Sequence, residues 1–90
     1  NDIGALWENF LIIERMKLNA YTNRYVSNFF WRTYDGAEID YIEKYADSLD
    51  GYEFKWNKEK NAPKSWFEYP NATYKLINTE NYKEFLNLSN

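Results

Sequence analysis

Four side chains in this sequence have types and an order suited to chemistry on a phosphate. Glu8 lies in an amphipathic opening segment, Asp40 in Glu38-Ile39-Asp40-Tyr41, and Glu53 and Lys55 in Gly51-Tyr52-Glu53-Phe54-Lys55-Trp56. Hydrolysing a phosphodiester needs a cation that neutralises the phosphate and lowers the pKa of an attacking water, plus a group that orients that water. Asp40 and Glu53, on adjoining strands, answer the first need as ligands of a magnesium or manganese ion, with the backbone carbonyl of Phe54 a further oxygen in reach. Lys55, two residues after Glu53, projects to the same side of a strand and is suited to orient the water or to stabilise developing charge. Glu8 approaches from the helix, as a third metal ligand or through a bound water.

The triplet Glu53-x-Lys55 is a weak signal alone, because a chain with this many Lys and acids contains about one such triplet by chance. Its context carries the weight: a strand, a hairpin partner bearing Asp40, and an earlier helix bearing Glu8. The competing reading is a solvated strand face, on which acids and Lys alternate with aromatics as a matter of course. Other charges have plainer expectations. Glu14, Arg15 and Lys17 are assigned to the wet side of the first helix, and Arg32 to cross-strand pairing with a carboxylate. Lys58, Lys60 and Lys64 read as a solvated loop, with guidance of a phosphate backbone as the alternative.

The elements that must position these groups follow from periodicity. Ile3, Leu6, Trp7, Phe10, Ile13 and Lys17 keep helical spacing, with Asp2 as cap and an end near Leu18. Phe10-Leu11-Ile12-Ile13 is apolar nearly all round, which predicts a helix covered by other elements. Asn28 to Tyr34 is rich in strand formers, Asp35-Gly36 is a hairpin signal, and a second strand follows from about Ala37 to Tyr45. Ser48-Leu49-Asp50-Gly51 predicts a second turn before a strand over Tyr52 to Trp56. Pro63 starts a short helix through Trp66 and Phe67 that Pro70 stops. Tyr74 to Asn78 reads as a fourth strand and Asn81 to Leu88 as a closing helix. The order α-β-β-β-α-β-α predicts an α/β (α+β) domain spanning residues 1–90, with a mixed sheet flanked by helices.

Composition narrows the chemistry further. With no Cys and no His, disulfides, structural zinc, thiol nucleophiles and Ser-His catalysis are excluded together. Any metal held here is an oxygen-ligated hard cation. Three Gly form no phosphate-cradling loop, so ATP binding does not reside in this stretch. The net charge of −3 weighs against strong unaided binding of nucleic acid, although a local patch suffices for a contact. Nine Tyr, four Trp and six Phe supply a small core with large buried area; base stacking is the functional alternative, and AT-rich coding a third source of the excess. The longest apolar run, Phe10 to Ile13, is far too short to cross a bilayer, and the expectation is a cytoplasmic protein without membrane contact.

Gly4-Ala5-Leu6-Trp7-Glu8-Asn9-Phe10-Leu11, then Phe30-Trp31-Arg32-Thr33, Asp35-Gly36-Ala37-Glu38-Ile39-Asp40 and Glu53-Phe54-Lys55, form an ordered set that resembles a known family. It is similar to the C-terminal domain of prokaryotic AAA-type P-loop ATPases, a domain of unknown function with a restriction-endonuclease-like fold. The resemblance covers about the first two-thirds of the chain, and after Trp56 it rests on element order. It implies a metal-dependent nuclease centre of the PD-(D/E)xK type, with Glu8, Asp40, Glu53 and Lys55 at the nuclease positions and Ile39 where the motif has Pro. Arg32 and Glu38 match the pattern without an assigned role. The resemblance also implies an upstream ATPase module as partner, DNA as substrate, and, as the alternative, an inactive nuclease-fold module that serves protein interaction or regulation of the ATPase.

Overall fold

In the computed structural model the chain is described over residues 2–56 and 60–88. The first helix, α1, runs Ile3–Tyr21. The Asp2 carboxylate accepts the Ala5 N–H at 3.0 Å, which satisfies one of the donors that a helix start leaves unpaired. At the other end Asn23 adopts the left-handed region, with φ 58°. Its N–H reaches the Ala20 carbonyl at 3.2 Å while the Arg24 N–H reaches that of Asn19 at 2.8 Å. This Schellman arrangement carries α1 three residues beyond the predicted Leu18. It also sets Arg24 back against the last turn.

Four strands follow in one sheet of order β1-β2-β3-β4: β1 Ser27–Arg32, β2 Glu38–Tyr45, β3 Ser48–Phe54 and β4 Ala72–Ile77. The first two pairings are antiparallel and β3 with β4 is parallel, so the sheet is mixed. The first hairpin turns at Asp35-Gly36 as the dipeptide predicts, and Gly36 takes φ 98°, a conformation that costs a side-chain-bearing residue dearly. Arg32 and Glu38 face each other across it, 3.1 Å apart.

The second turn is not where the sequence suggests. Tyr45 pairs with Ser48, so the loop is Ala46-Asp47, with Ala46 at φ 52°. Asp50 and Gly51 lie inside β3 instead. Asp50 accepts the Thr73 hydroxyl from β4 at 2.6 Å. Gly51 lies beneath the Trp66 ring, where a Cβ would come within 3.1 Å of Cε2 and Cζ2. The glycine is needed for close approach, not for turning.

A 3-10 helix, Lys64–Glu68, begins after Pro63 and packs Trp66 on one sheet face with Ile39 and Ile42. The other face carries α1 and a single closing turn, α2 Tyr82–Phe85, around Leu11, Tyr41, Phe54, Ile77 and Phe85. Each such burial contributes about 1.5–3 kcal/mol. The closing helix is shorter than Asn81 to Leu88 because Asn87 at φ 56° ends it. The element order is the predicted one, and the fold is α+β.

One expectation about α1 fails. Only the side bearing Leu11 is covered, while Ile3, Leu6, Phe10 and Ile13 form a stripe 45% to 64% exposed. No helix among the described residues is long and apolar enough to cross a membrane.

Candidate functional site

The site begins with an irregularity in β2. Phe29 pairs with Ile42 and Trp31 with Ile39, so Asp40 and Tyr41 together stand opposite Phe30 alone. Such a bulge breaks the strict alternation of side chains and re-aims one of them. Ile39 and Ile42 consequently both face Trp66, while Tyr41 faces α1. Asp40 is turned toward β3, where its Oδ2 accepts the Phe54 N–H at 3.3 Å. That donor lies past Tyr41↔Tyr52, where the β2–β3 ladder ends.

Glu53, next to Phe54, is fully buried. Tyr52 and Phe54 pack toward α1, so alternation sends Glu53 to the Trp66 side. Its carboxyl neighbours that of Asp40. Burial first, then the hydrogen bond to Asp40 and its charge, push the Glu53 carboxyl well above the usual carboxylate range, and Lys60 only partly offsets them. Lys60 Nζ lies 3.2 Å from Oε1 as an ion pair. Neither oxygen of Glu53 has a well-aligned hydrogen-bond donor among the described residues. A buried carboxylate without such donors is costly.

Glu8 reaches the same end of the sheet from α1. Its pKa is raised by burial and by the charge of Asp40, with Lys55 opposing. Asp40 is thus the common neighbour of both glutamates. The four residues singled out from the sequence converge on one end of the sheet in two linked parts: Asp40 with Glu53, and Glu8 with Asp40 and Lys55. No group of three acidic side chains among the described residues gathers closely enough to hold a metal ion. Among the described residues the cation at Glu53 is Lys60, and the charge of Lys55 acts on Glu8. Beside this end lies an aromatic groove of about 460 Å³, lined by Trp7, Phe10, Trp56, Thr79 and Tyr82. Trp7 and Trp56 meet edge to face at 5.3 Å.

A second acidic centre went unpredicted from the sequence. Glu43 on β2 is fully buried toward α1. Arg15 Nε and Nη2 donate to it at 2.9 and 3.0 Å, Arg24 Nη1 at 2.8 Å and Asn19 Nδ2 at 2.8 Å. The Tyr41 hydroxyl lies 2.9 Å away. Burial alone would raise its pKa, but Arg15, then Arg24 and Asn19, hold it at about 2. Arg15 is therefore not on the wet side of α1, whereas Lys17 is exposed and pairs with the partly exposed Glu14 at 3.0 Å. A signal was present: Leu11, Arg15 and Asn19 recur every fourth residue along one helix stripe. Of the lysines after β3, Lys58 lies outside the described residues.

Fold and site together define an α+β domain in which a buried glutamate, Glu53, lies against a half-buried aspartate, Asp40, at a strand bulge. The chain belongs to the domain-of-unknown-function family DUF4143, whose model matches residues 3–84, well past the motifs that end near Trp56. No curated protein and no solved structure matches it.

Proposed function

We propose that this is a nuclease-like domain of restriction-endonuclease type, in which Asp40 and Glu53 hold a magnesium or manganese ion for phosphodiester hydrolysis of DNA. One observation carries the reading: Glu53 is fully buried with both oxygens lacking aligned donors, against a second carboxylate. Evolution rarely leaves a buried polar group unsatisfied without a ligand for it, and two carboxylates sharing a site attract a cation. Magnesium is commonly held by one or two carboxylates with the remaining positions filled by water. The absence of a third close acid among the described residues is compatible with that habit.

When bound, the ion supplies charge neutralisation and an acidified water. The protein's own part is positional. The bulge aims Asp40, and its hydrogen bond from Phe54 N–H fixes the carboxylate against β3. Burial of Glu53 keeps competing water from it. Glu8, whose pKa is raised by burial and by the charge of Asp40, would accept a proton or bind a water, and Lys55 would balance its charge. In the full protein this cytoplasmic domain would follow an ATPase module.

Calorimetric titration with magnesium or manganese, on the native chain and on Asp40→Asn, tests the reading. Binding lost in the variant supports it, and plasmid nicking lost in Lys55→Ala extends it to catalysis. Absence of binding to the native chain removes it. A second reading, an inactive module that contacts the ATPase portion, is favoured by the exposed stripe Ile3, Leu6, Phe10 and Ile13, since contiguous exposed apolar surface marks interaction sites. Loss of co-purification with the ATPase module in Leu6→Glu, without metal binding, would favour it.

A further inference from the structure

A lysine placed two residues after a strand glutamate should share its side and meet it. Here the nearer lysine in sequence does not serve Glu53. β3 ends at Phe54, and the charge of Lys55 acts on Glu8. Lys60, seven residues beyond Glu53, returns to put Nζ 3.2 Å from Oε1. Two ties hold it there. The ammonium end enters from solvent, the Lys60 side chain being 37% exposed and that of Glu53 1%. The backbone is held by β4, where the Tyr74 hydroxyl donates to the Lys60 carbonyl at 3.1 Å. Tyr74 packs on the Trp66 side of the sheet, which is also the side of Glu53.

We propose that Lys60 is the built-in counter-ion of the Asp40–Glu53 pair and exchanges with the divalent ion: the ammonium balances Glu53 when no ion is bound and withdraws when one binds. This rests on reading the carboxylate pair as an ion site. A tethered ammonium competes at high effective concentration, so the native pair binds a divalent ion more weakly than its two carboxylates would without the lysine. The competition is winnable, because a divalent ion brings two positive charges to the pair where the ammonium brings one. Once withdrawn, the ammonium stays within a side chain's length of the pair, where a compact charge suits a phosphate oxygen. Lys60, not Lys55, is then the residue that sets the site's affinity for its ion.

Titration calorimetry with manganese chloride alone, on the native chain, Lys60→Met, Lys60→Arg and Lys55→Met, tests this, with far-UV circular dichroism as the check on folding. Removing a partly exposed competitor should tighten manganese binding about fivefold in Lys60→Met. Lys60→Arg should bind as the native chain does, because the charge is restored, and Lys55→Met should leave the affinity unchanged. A side chain of merely structural importance would weaken binding on removal and would not be rescued by charge. Native binding with Lys60→Met equal or weaker overturns the counter-ion and leaves the carboxylate site standing. No binding in either the native chain or Lys60→Met overturns both.

Discussion

Glu43 on β2 and Glu53 on β3 are both fully buried, on opposite faces of one sheet, yet the first is ringed by donors and the second has none well aligned among the described residues. Around Glu43 two arginines, an asparagine and a tyrosine come from α1, the segment after it and the same strand, so desolvation is outweighed and the carboxylate is ionised. Around Glu53 the described residues supply a second carboxylate and a solvent-reaching lysine, Asp40 and Lys60. The first arrangement closes the structure; the second leaves a demand for positive charge. Burial of an acid therefore says little about its role until its partners are counted.

The comparison is broken most severely at Glu43. Glu43→Ala strands Arg15 and Arg24 and should cost about 3–5 kcal/mol in urea unfolding, whereas Glu53→Gln should change stability by less than about 1 kcal/mol. Equal costs would mean that the two acids are alike after all. Manganese sharpens the contrast from the other side. At a concentration a hundredfold above its dissociation constant it should stabilise the native chain by about 2.7 kcal/mol, and Asp40→Asn should abolish this in thermal melts. A smaller effect is expected of Tyr41→Phe, which removes one hydroxyl from Glu43 and should cost about 1 kcal/mol.

The pH dependence gives the finest test, because the two glutamates titrate in opposite senses. Glu43 is held at about 2 against an ordinary 4.5, so its contribution is present above 4.5 and is lost as pH falls toward 2. The Glu53 pKa is raised from 4.5, so its contribution is full below that value and is lost as pH rises through the neutral range. Urea midpoints measured from acid to mildly alkaline pH should fall at both ends. Glu53→Gln should flatten the upper limb and leave the acid limb intact.

Much of the frame was legible from local chemistry. Asp2 capped its helix, Asp35-Gly36 turned its hairpin, Arg32 met a cross-strand carboxylate, and Pro63 introduced the turn that seats Trp66. Asp40 and Glu53 were legible as a pair on adjoining strands. Asp50-Gly51 misled because its glycine answers to a tryptophan ring from another element. Arg15 misled because a long cation looks solvated until a buried partner is known, and Glu43 was not singled out at all.

The sequence by itself determined the order of elements, the cap of the first helix, the turn of the first hairpin, and the placing of two acids on neighbouring strands. Those properties depend on neighbours a few residues away, through backbone conformation and the periods of helix and strand. Only the tertiary structure decided which acid is satisfied and which is not, and which lysine meets Glu53. Both hang on register: the extra residue at Asp40 and Tyr41 re-aims a carboxylate, and partners up to 28 positions apart meet only once the sheet has paired. A shift of one residue would send every side chain to the other face.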